Sequence, residues 1–193
     1  MEIIKIENKI EVLIFLDLCS DLQIRTDKSS CYAIMLFNLK KMQEIERKFL
    51  VLKNQFHPSG EAIKITQGYL TADSGRTVRI RVAGEKGFIT IKGKMEGITR
   101  TELEYEIPKH EAEILLKMCL NNLVEKTRYI EKYKGMIWEV DVFEKENAGL
   151  FLAEIELESE NQSFEIPPWV GEEVTFDNRY YNFWLSKNPF NKW

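Results

Sequence analysis

Cysteine and histidine are scarce in this sequence, and neither falls into a ligating pattern. The three Cys residues form no Cys-x-x-Cys pair and no Cys/His cluster, which excludes a disulfide framework and a structural zinc site. Reduced cytoplasm is the simplest compartment. His57 and His110 sit on turn-like segments near Pro58 and Pro108, so a histidine metal centre and a Ser-His-Asp triad both lack their parts. No apolar run approaches the ~18 residues of a membrane span. The nearest, residues 12–19 (VLIFLDLC), is short and carries Asp17. It has neither the basic start nor the small-residue cleavage site of a secretory leader. A surplus of one charge is missing too. The 27 Lys+Arg against 31 Asp+Glu leave a formal charge of −4, so no overall basic field draws a nucleic acid.

What is present is a globular composition, 44% hydrophobic and 30% charged over 193 residues, a length that fits one domain. Residues 1–41 read differently from the rest. Apolar patches at 12–18 and 33–39 flank a polar stretch with Asp27, Lys28, Ser29 and Ser30. Met42 then stands directly before a strongly patterned region. Two readings stay open: residues 1–41 are an N-terminal extension upstream of a natural start at Met42, or an arm docking on the main domain at 42–193.

From residue 43, short alternating segments are expected as strands at 43–51, 63–70, 76–83, 88–94, 99–107, 123–132, 136–144 and 151–159. Gly-bearing turns at 73–75, 84–87, 96–97, 134–135 and 147–149 separate several of them. This spacing predicts an antiparallel meander, hence a barrel or sandwich. Residues 109–122, after Pro108, and 172–186 read as helices.

Residues i and i+2 of a strand share a face. The charged faces then carry Glu44, Glu46 and Lys48; Arg79 and Arg81; Lys92; Arg100, Glu102, Glu104 and Glu106; Lys126 and Arg128; Glu139 and Asp141; Glu154, Glu156 and Glu158. Like charges repeat within strands, whereas exposed sheets usually intersperse signs. Two readings stay open: an ordinary sheet with one wet and one packed face, or a closed barrel with a charged interior and an apolar outer wall covered by helices. Desolvating so many ions costs several kcal/mol each unless partners or ligands compensate. A polyanion with a divalent metal would satisfy both signs: Arg and Lys take phosphate oxygens, and clustered carboxylates hold a hard cation. Glu106 and Glu158 are read as solvated strand ends, Glu139 as lining or mouth, and Arg47 as a surface residue. Tyr69 is within reach of the tunnel but is read as packing, as are the aromatics from Tyr180 to Trp193.

Glu44-Ile45-Glu46-Arg47-Lys48 matches the ExExK signature that opens the CYTH superfamily, the triphosphate tunnel metalloenzymes. The order continues as that family's does: RIR at 79–81, TIK ending at Lys92, RTELE from Arg100, KTR from Lys126 to Arg128, WEVD ending at Asp141, and AEIELE from Ala153. The likeness covers about residues 42–186 and resembles the bacterial single-domain members in particular. It implies a mainly β fold of α+β type: an eight-stranded antiparallel closed tunnel barrel flanked by helices. It implies a metal-dependent triphosphatase, foremost of inorganic tripolyphosphate, with ATP and thiamine triphosphate as other substrates. The alternatives are a class IV adenylate cyclase releasing pyrophosphate, and a non-catalytic polyphosphate-binding module. By this resemblance Glu44, Glu46, Glu154 and Glu156 supply metal-binding carboxylates for Mg²⁺ or Mn²⁺, assisted by Asp141, Glu102 and Glu104. Lys48, Arg79, Arg81, Lys92, Arg100, Lys126 and Arg128 cradle the phosphate chain, and Glu44, Glu46 and Lys48 carry the catalytic role. No nucleic-acid or membrane partner is expected. A homodimer is open, with no interface legible.

Overall fold

The computed structural model of the chain describes residues 42–73 and 75–193. The readings of residues 1–41, and of Ser74 in the first turn, lie outside the described residues. Among the described residues nine strands run β1 (Gln43–Val51), β2 (Glu61–Asp73), β3 (Arg76–Ala83), β4 (Lys86–Lys92), β5 (Thr99–Ile107), β6 (Leu120–Tyr133), β7 (Met136–Phe143), β8 (Phe151–Glu156) and β9 (Val170–Glu173). Helix α1 (Lys109–Leu116) lies between β5 and β6, and α2 (Asn182–Lys187) follows β9.

The strands form one antiparallel sheet in the order β5-β4-β3-β2-β6-β7-β8-β1-β9, and a β5–β1 pairing closes the first eight into a barrel. Closure leaves no long open edge among the eight. The β1–β5 seam is short, only Gln43 to Ile45 against Thr99 to Thr101. Beyond it the edge of β1 would stand unpaired, and β9 covers it at Phe49 and Val51. This is why 172–186 is not one helix, as expected, but the end of β9, a loop, a 3-10 turn at Asn178–Tyr180 and the short α2. The helix expected at 109–122 stops at Leu116, because β6 begins at Leu120, where it pairs with Tyr69 of β2.

The outer wall carries the main core: Phe49, Trp138, Val140, Ala153 and Ile155, roofed by Phe56, Phe164 and Trp169. On the opposite flank, Ala112 and Leu116 of α1 pack on Ile80. Helix and sheet approach so closely there that a Cβ on Gly87 would lie 2.6 Å from the Ala112 Cβ, so this position takes only glycine.

A third cluster stands on the inward faces. Leu50, Val124, Phe143 and Leu152 each share a strand face with inward charges two residues away, and pack with Val174 and Leu185. Phe183 of α2 meets Tyr69 edge-to-face at 5.1 Å. The segment after β9 therefore seals one end of the barrel with apolar side chains. The charged interior lies between this seal and the other mouth.

Candidate functional site

Strand alternation brings all fourteen expected site residues to the inward surface. Lys48, Arg79, Lys92, Lys126, Arg128, Asp141 and Glu154 are buried. Side-chain exposure grades along the axis, from 0% at Asp141 and 1% at Lys126 near the seal to 30% at Glu104 and Glu139 near the mouth.

Two ion networks fill the space. In the inner one Arg128 is the hub. Its Nε and Nη2 bind both Asp141 oxygens at 2.7 Å, Nη2 also reaches Glu154 Oε2 at 2.7 Å, and Nη1 pairs with Glu139. Lys126 pairs with Asp141; Lys48 pairs with Glu154 and lies 3.2 Å from Glu46. In the outer network Lys92 Nζ binds Glu44 at 2.8 and 3.0 Å and stands 2.6 Å from Glu102, while Arg100 also pairs with Glu44. Glu104 accepts from Arg79 at 3.2 Å, from Arg81 at 2.9 and 2.8 Å, and from Thr90 at 2.7 Å.

Burial alone would raise the buried carboxyls. For Glu44, Lys92 and Arg100 outweigh it and hold the group well below the usual range. Glu154 falls well below it for the same reason, through Lys48 and Arg128, and Asp141 is lowered by Arg128 and Lys126. Three carboxyls go the other way. Burial, with Glu154 and Glu44 close by, raises Glu46 despite Lys48. Although Glu156 is exposed, partial desolvation and the crowd of Glu139, Glu44, Glu46 and Glu102 push it up to about 7. Glu102 also rises to about 7, from burial and its bond with Glu44. Among the cations, burial against the apolar seal lowers Lys126 to about 8 even with Asp141 beside it.

Seven inward cations thus face eight inward carboxylates, Glu139 included. The interior has no surplus positive charge, yet its carboxyls are unevenly satisfied. Glu46, Glu102 and Glu156 are the carboxyls held above their usual range, Glu102 even with Lys92 2.6 Å away. Their oxygens suit a hard divalent ion, although among the described residues no three acidic side chains converge closely enough to hold one as placed. On the basic side, Arg79 Nε and Arg81 Nε are buried without a hydrogen-bond partner, an uncommon state for buried donors. Both would be satisfied by an anion entering the tunnel.

Tyr69, expected as packing, does pack, but on the inward face. Its hydroxyl accepts from Gln67 Nε2 at 3.2 Å, and burial pushes its pKa up to about 12 against the pull of Arg79, Arg100 and Lys48. Gln67 and Thr90 also line the interior. The signal for all three was the same two-residue spacing that picked out the charges. That spacing alone does not single out Gln67 and Thr90, because neutral side chains on an inward face look like ordinary core. Arg47 lies outside as expected, bound to Glu173 at 2.8 Å. Glu106 pairs with Lys86 at the surface. The C-terminal aromatics divide: Phe183 and Tyr181 reach the barrel, while Tyr180, Phe190 and Trp193 stack on one another.

A closed antiparallel barrel whose interior alternates fixed cations and carboxylates defines a tunnel-type polyanion site. The CYTH domain matches residues 42–187, and the chain belongs to the CYTH family. It is 47% identical to the inorganic triphosphatase of Acetivibrio thermocellus over 149 residues, covering 77% of this chain and 96% of the relative. It is 43% identical to the inorganic triphosphatase of Nitrosomonas europaea over 147 residues, with 73% and 95% covered. The crystal structure of the inorganic triphosphatase NE1496 aligns with a TM-score of 0.55 at 41% identity, covering 74% of this chain and 93% of that one. Among the described residues no helix is long and apolar enough to cross a membrane.

Proposed function

We propose that the chain is an inorganic triphosphatase that binds tripolyphosphate end-on in the barrel and hydrolyses a terminal phosphoanhydride bond with the help of Mg²⁺ or Mn²⁺. The observation that carries this reading is the pair of buried, unpartnered guanidinium nitrogens, Arg79 Nε and Arg81 Nε, within a ring of fixed cations. Relatives over 40% identical and named inorganic triphosphatase support it.

The tripolyphosphate chain carries about four to five negative charges, and the interior has no surplus of cations. The substrate must therefore bring or meet a divalent ion. Glu46 and Glu156, with Glu44 and Glu102 beside them, would hold it. When bound it would neutralise phosphate charge and polarise the phosphorus under attack. The rest falls to the chain's own residues. Arg79, Arg81, Lys92 and Arg100 exchange carboxylate partners for phosphate oxygens, a change Arg makes at little loss because its fork fits either anion. Arg128, locked to Asp141 and Glu154, is a fixed point charge for the inner phosphate. Lys48, next to Glu46 and Glu154, sits where charge develops on the transferred group, and a preorganised cation there lowers the barrier. Phosphoryl transfer asks for positioning and charge stabilisation more than covalent help. The functional unit in this reading is 42–193, which holds every proposed site residue. A chain starting at Met42 that lost activity would overturn that boundary.

The test offers tripolyphosphate, ATP and thiamine triphosphate in parallel with Mg²⁺ or Mn²⁺, and quantifies orthophosphate, pyrophosphate and cyclic AMP. The expected result is orthophosphate and pyrophosphate from tripolyphosphate, with little product from ATP. Cyclic AMP with stoichiometric pyrophosphate would replace the reading with a cyclase. Tight tripolyphosphate binding with no product would replace it with a binding module.

A further inference from the structure

The strap that follows β9 makes contacts which neither the seal nor the ion networks explain. Lys48 stands where β1 changes partner: the ladder to β5 ends at Ile45, and the pairing with β9 slips between Phe49 and Val51. At this irregular point the main chain of Lys48 is held from the strap. Its N–H donates to Thr175 Oγ1 at 3.0 Å, and its carbonyl accepts from the Val174 N–H at 2.8 Å. Thr175 is itself buried, and its hydroxyl donates to Glu173 Oε1 at 2.6 Å. The Thr175 carbonyl accepts from the Tyr181 hydroxyl at 2.6 Å. That bond brings the Tyr181 ring to 5.7 Å from Lys48 Nζ. Thr175 and Tyr181 line one small cavity together with Glu44, Glu46, Lys48 and Arg100.

We propose that Thr175 and Tyr181 are positioning residues for Lys48: Thr175 fixes its main chain between the end of the β5 seam and the start of the β9 pairing, and the Tyr181 ring limits the swing of its ammonium. The inference rests on the reading that Lys48 contacts the phosphate chain. A lysine has four rotatable side-chain bonds and no planar fork, so its aim depends on its neighbours more than an arginine's does. Glu154 holds the ammonium by a charged hydrogen bond and Glu46 draws it by charge. The ring is a third neighbour, uncharged at neutral pH because burial raises its phenol further, and it stays in place when those carboxylates turn to other cations. Misplacing Lys48 costs turnover more than binding, because the other six inward cations still hold the chain.

The test uses the full-length protein with Mg²⁺ and tripolyphosphate, well below the melting transition. Thr175→Val keeps the side-chain shape and removes the acceptor; Thr175→Ser restores it. Tyr181→Leu removes the ring. Lys48→Met is the reference. The expected result is a kcat about tenfold lower or more for Thr175→Val and Tyr181→Leu, with KM changed less than about threefold and Thr175→Ser near wild type. If Lys48→Met keeps wild-type turnover, the reading of the site fails. If Lys48→Met is inactive while Thr175→Val and Tyr181→Leu turn over normally, the positioning proposal alone fails. It fails as well if kcat falls only in step with the folded fraction and Thr175→Ser does not recover it.

Discussion

Glu46 and Glu156 stand directly opposite one another across the β1–β8 ladder. Like charges so placed destabilise a sheet pair, and both carboxyls lie above their ordinary range: desolvation acts first on each, and neighbouring glutamates add to it. The sign of the consequence follows from proton counting. A carboxyl raised by folding holds its proton more tightly folded than unfolded. Between the ordinary carboxyl pKa of about 4.3 and about 7, the folded chain binds the extra proton, so stability falls as pH rises through that window and levels off above it. In chelator, Glu156→Gln should melt higher than wild type at pH 8 and coincide with it near pH 4. Adding Mg²⁺ should raise the wild-type melting temperature more than the variant's. Thermal melts over that pH range check both, and a variant less stable at pH 8 would contradict the charge-crowding account.

Two arginines, Arg81 of the outer network and Arg128 of the inner one, separate binding from folding. Arg81 binds only Glu104 among the inward carboxylates, and Glu104 keeps Arg79 and Thr90 without it. Arg81→Ala should lower kcat/KM for tripolyphosphate about 100-fold or more, the scale of losing one charge-stabilising donor, with little change in denaturant midpoint. Arg128 instead satisfies Asp141, Glu139 and Glu154 together. Arg128→Ala leaves buried carboxylates underpaired and should cost about 3–5 kcal/mol of stability as well as activity. Urea melts beside kinetics distinguish the two. An Arg128→Ala protein as stable as wild type would show that the network is cheaply rebuilt.

The charged interior was legible in the sequence because a two-residue period cannot hide. Once Glu44, Glu46 and Lys48 share a face, β8 must answer with Glu154 and Glu156, and the structure pairs them. The ninth strand and the seal were not legible. Val174 and Leu185 belong to a stretch whose spacing reads as one helix, whereas a strand of four residues, a loop and a helix of six each end before a period of their own emerges. Their fold is dictated from outside, by the edge that β1 exposes once the β5 seam ends. The same holds for the stop at Leu116. Helical spacing continues to Cys119, but the demand of β2 for a partner at Tyr69 takes Leu120 into β6.

One structural staple lies far from the tunnel and should affect stability alone. Glu131, on the outer face of β6, accepts from the Ser59 N–H at 2.8 Å, the Ser59 hydroxyl at 2.7 Å and the Gly60 N–H at 3.1 Å. Burial tends to raise this carboxyl, and the three bonds outweigh it, so its pKa lies below the ordinary value. The stabilisation is therefore present above the ordinary carboxyl pKa and is lost as pH falls through the lower folded one. The loop it ties down carries Phe56, whose ring meets Tyr129 at 6.1 Å and Trp169 at 5.3 Å in the outer core. Glu131→Gln replaces charge-assisted bonds by neutral ones and should cost about 1–2 kcal/mol at pH 7, with the gap to wild type closing below about pH 4. Gly60 admits no replacement, because a Cβ there would sit 1.8 Å from the Ile130 carbonyl oxygen. Gly60→Ala should thus be at least as destabilising at every pH, having no titrating group to recover. Both variants should keep wild-type kcat and KM at temperatures where they are folded. Reduced turnover in a fully folded Glu131→Gln protein would mean that the outer core, through Tyr129 and its neighbour Arg128, reaches the tunnel after all.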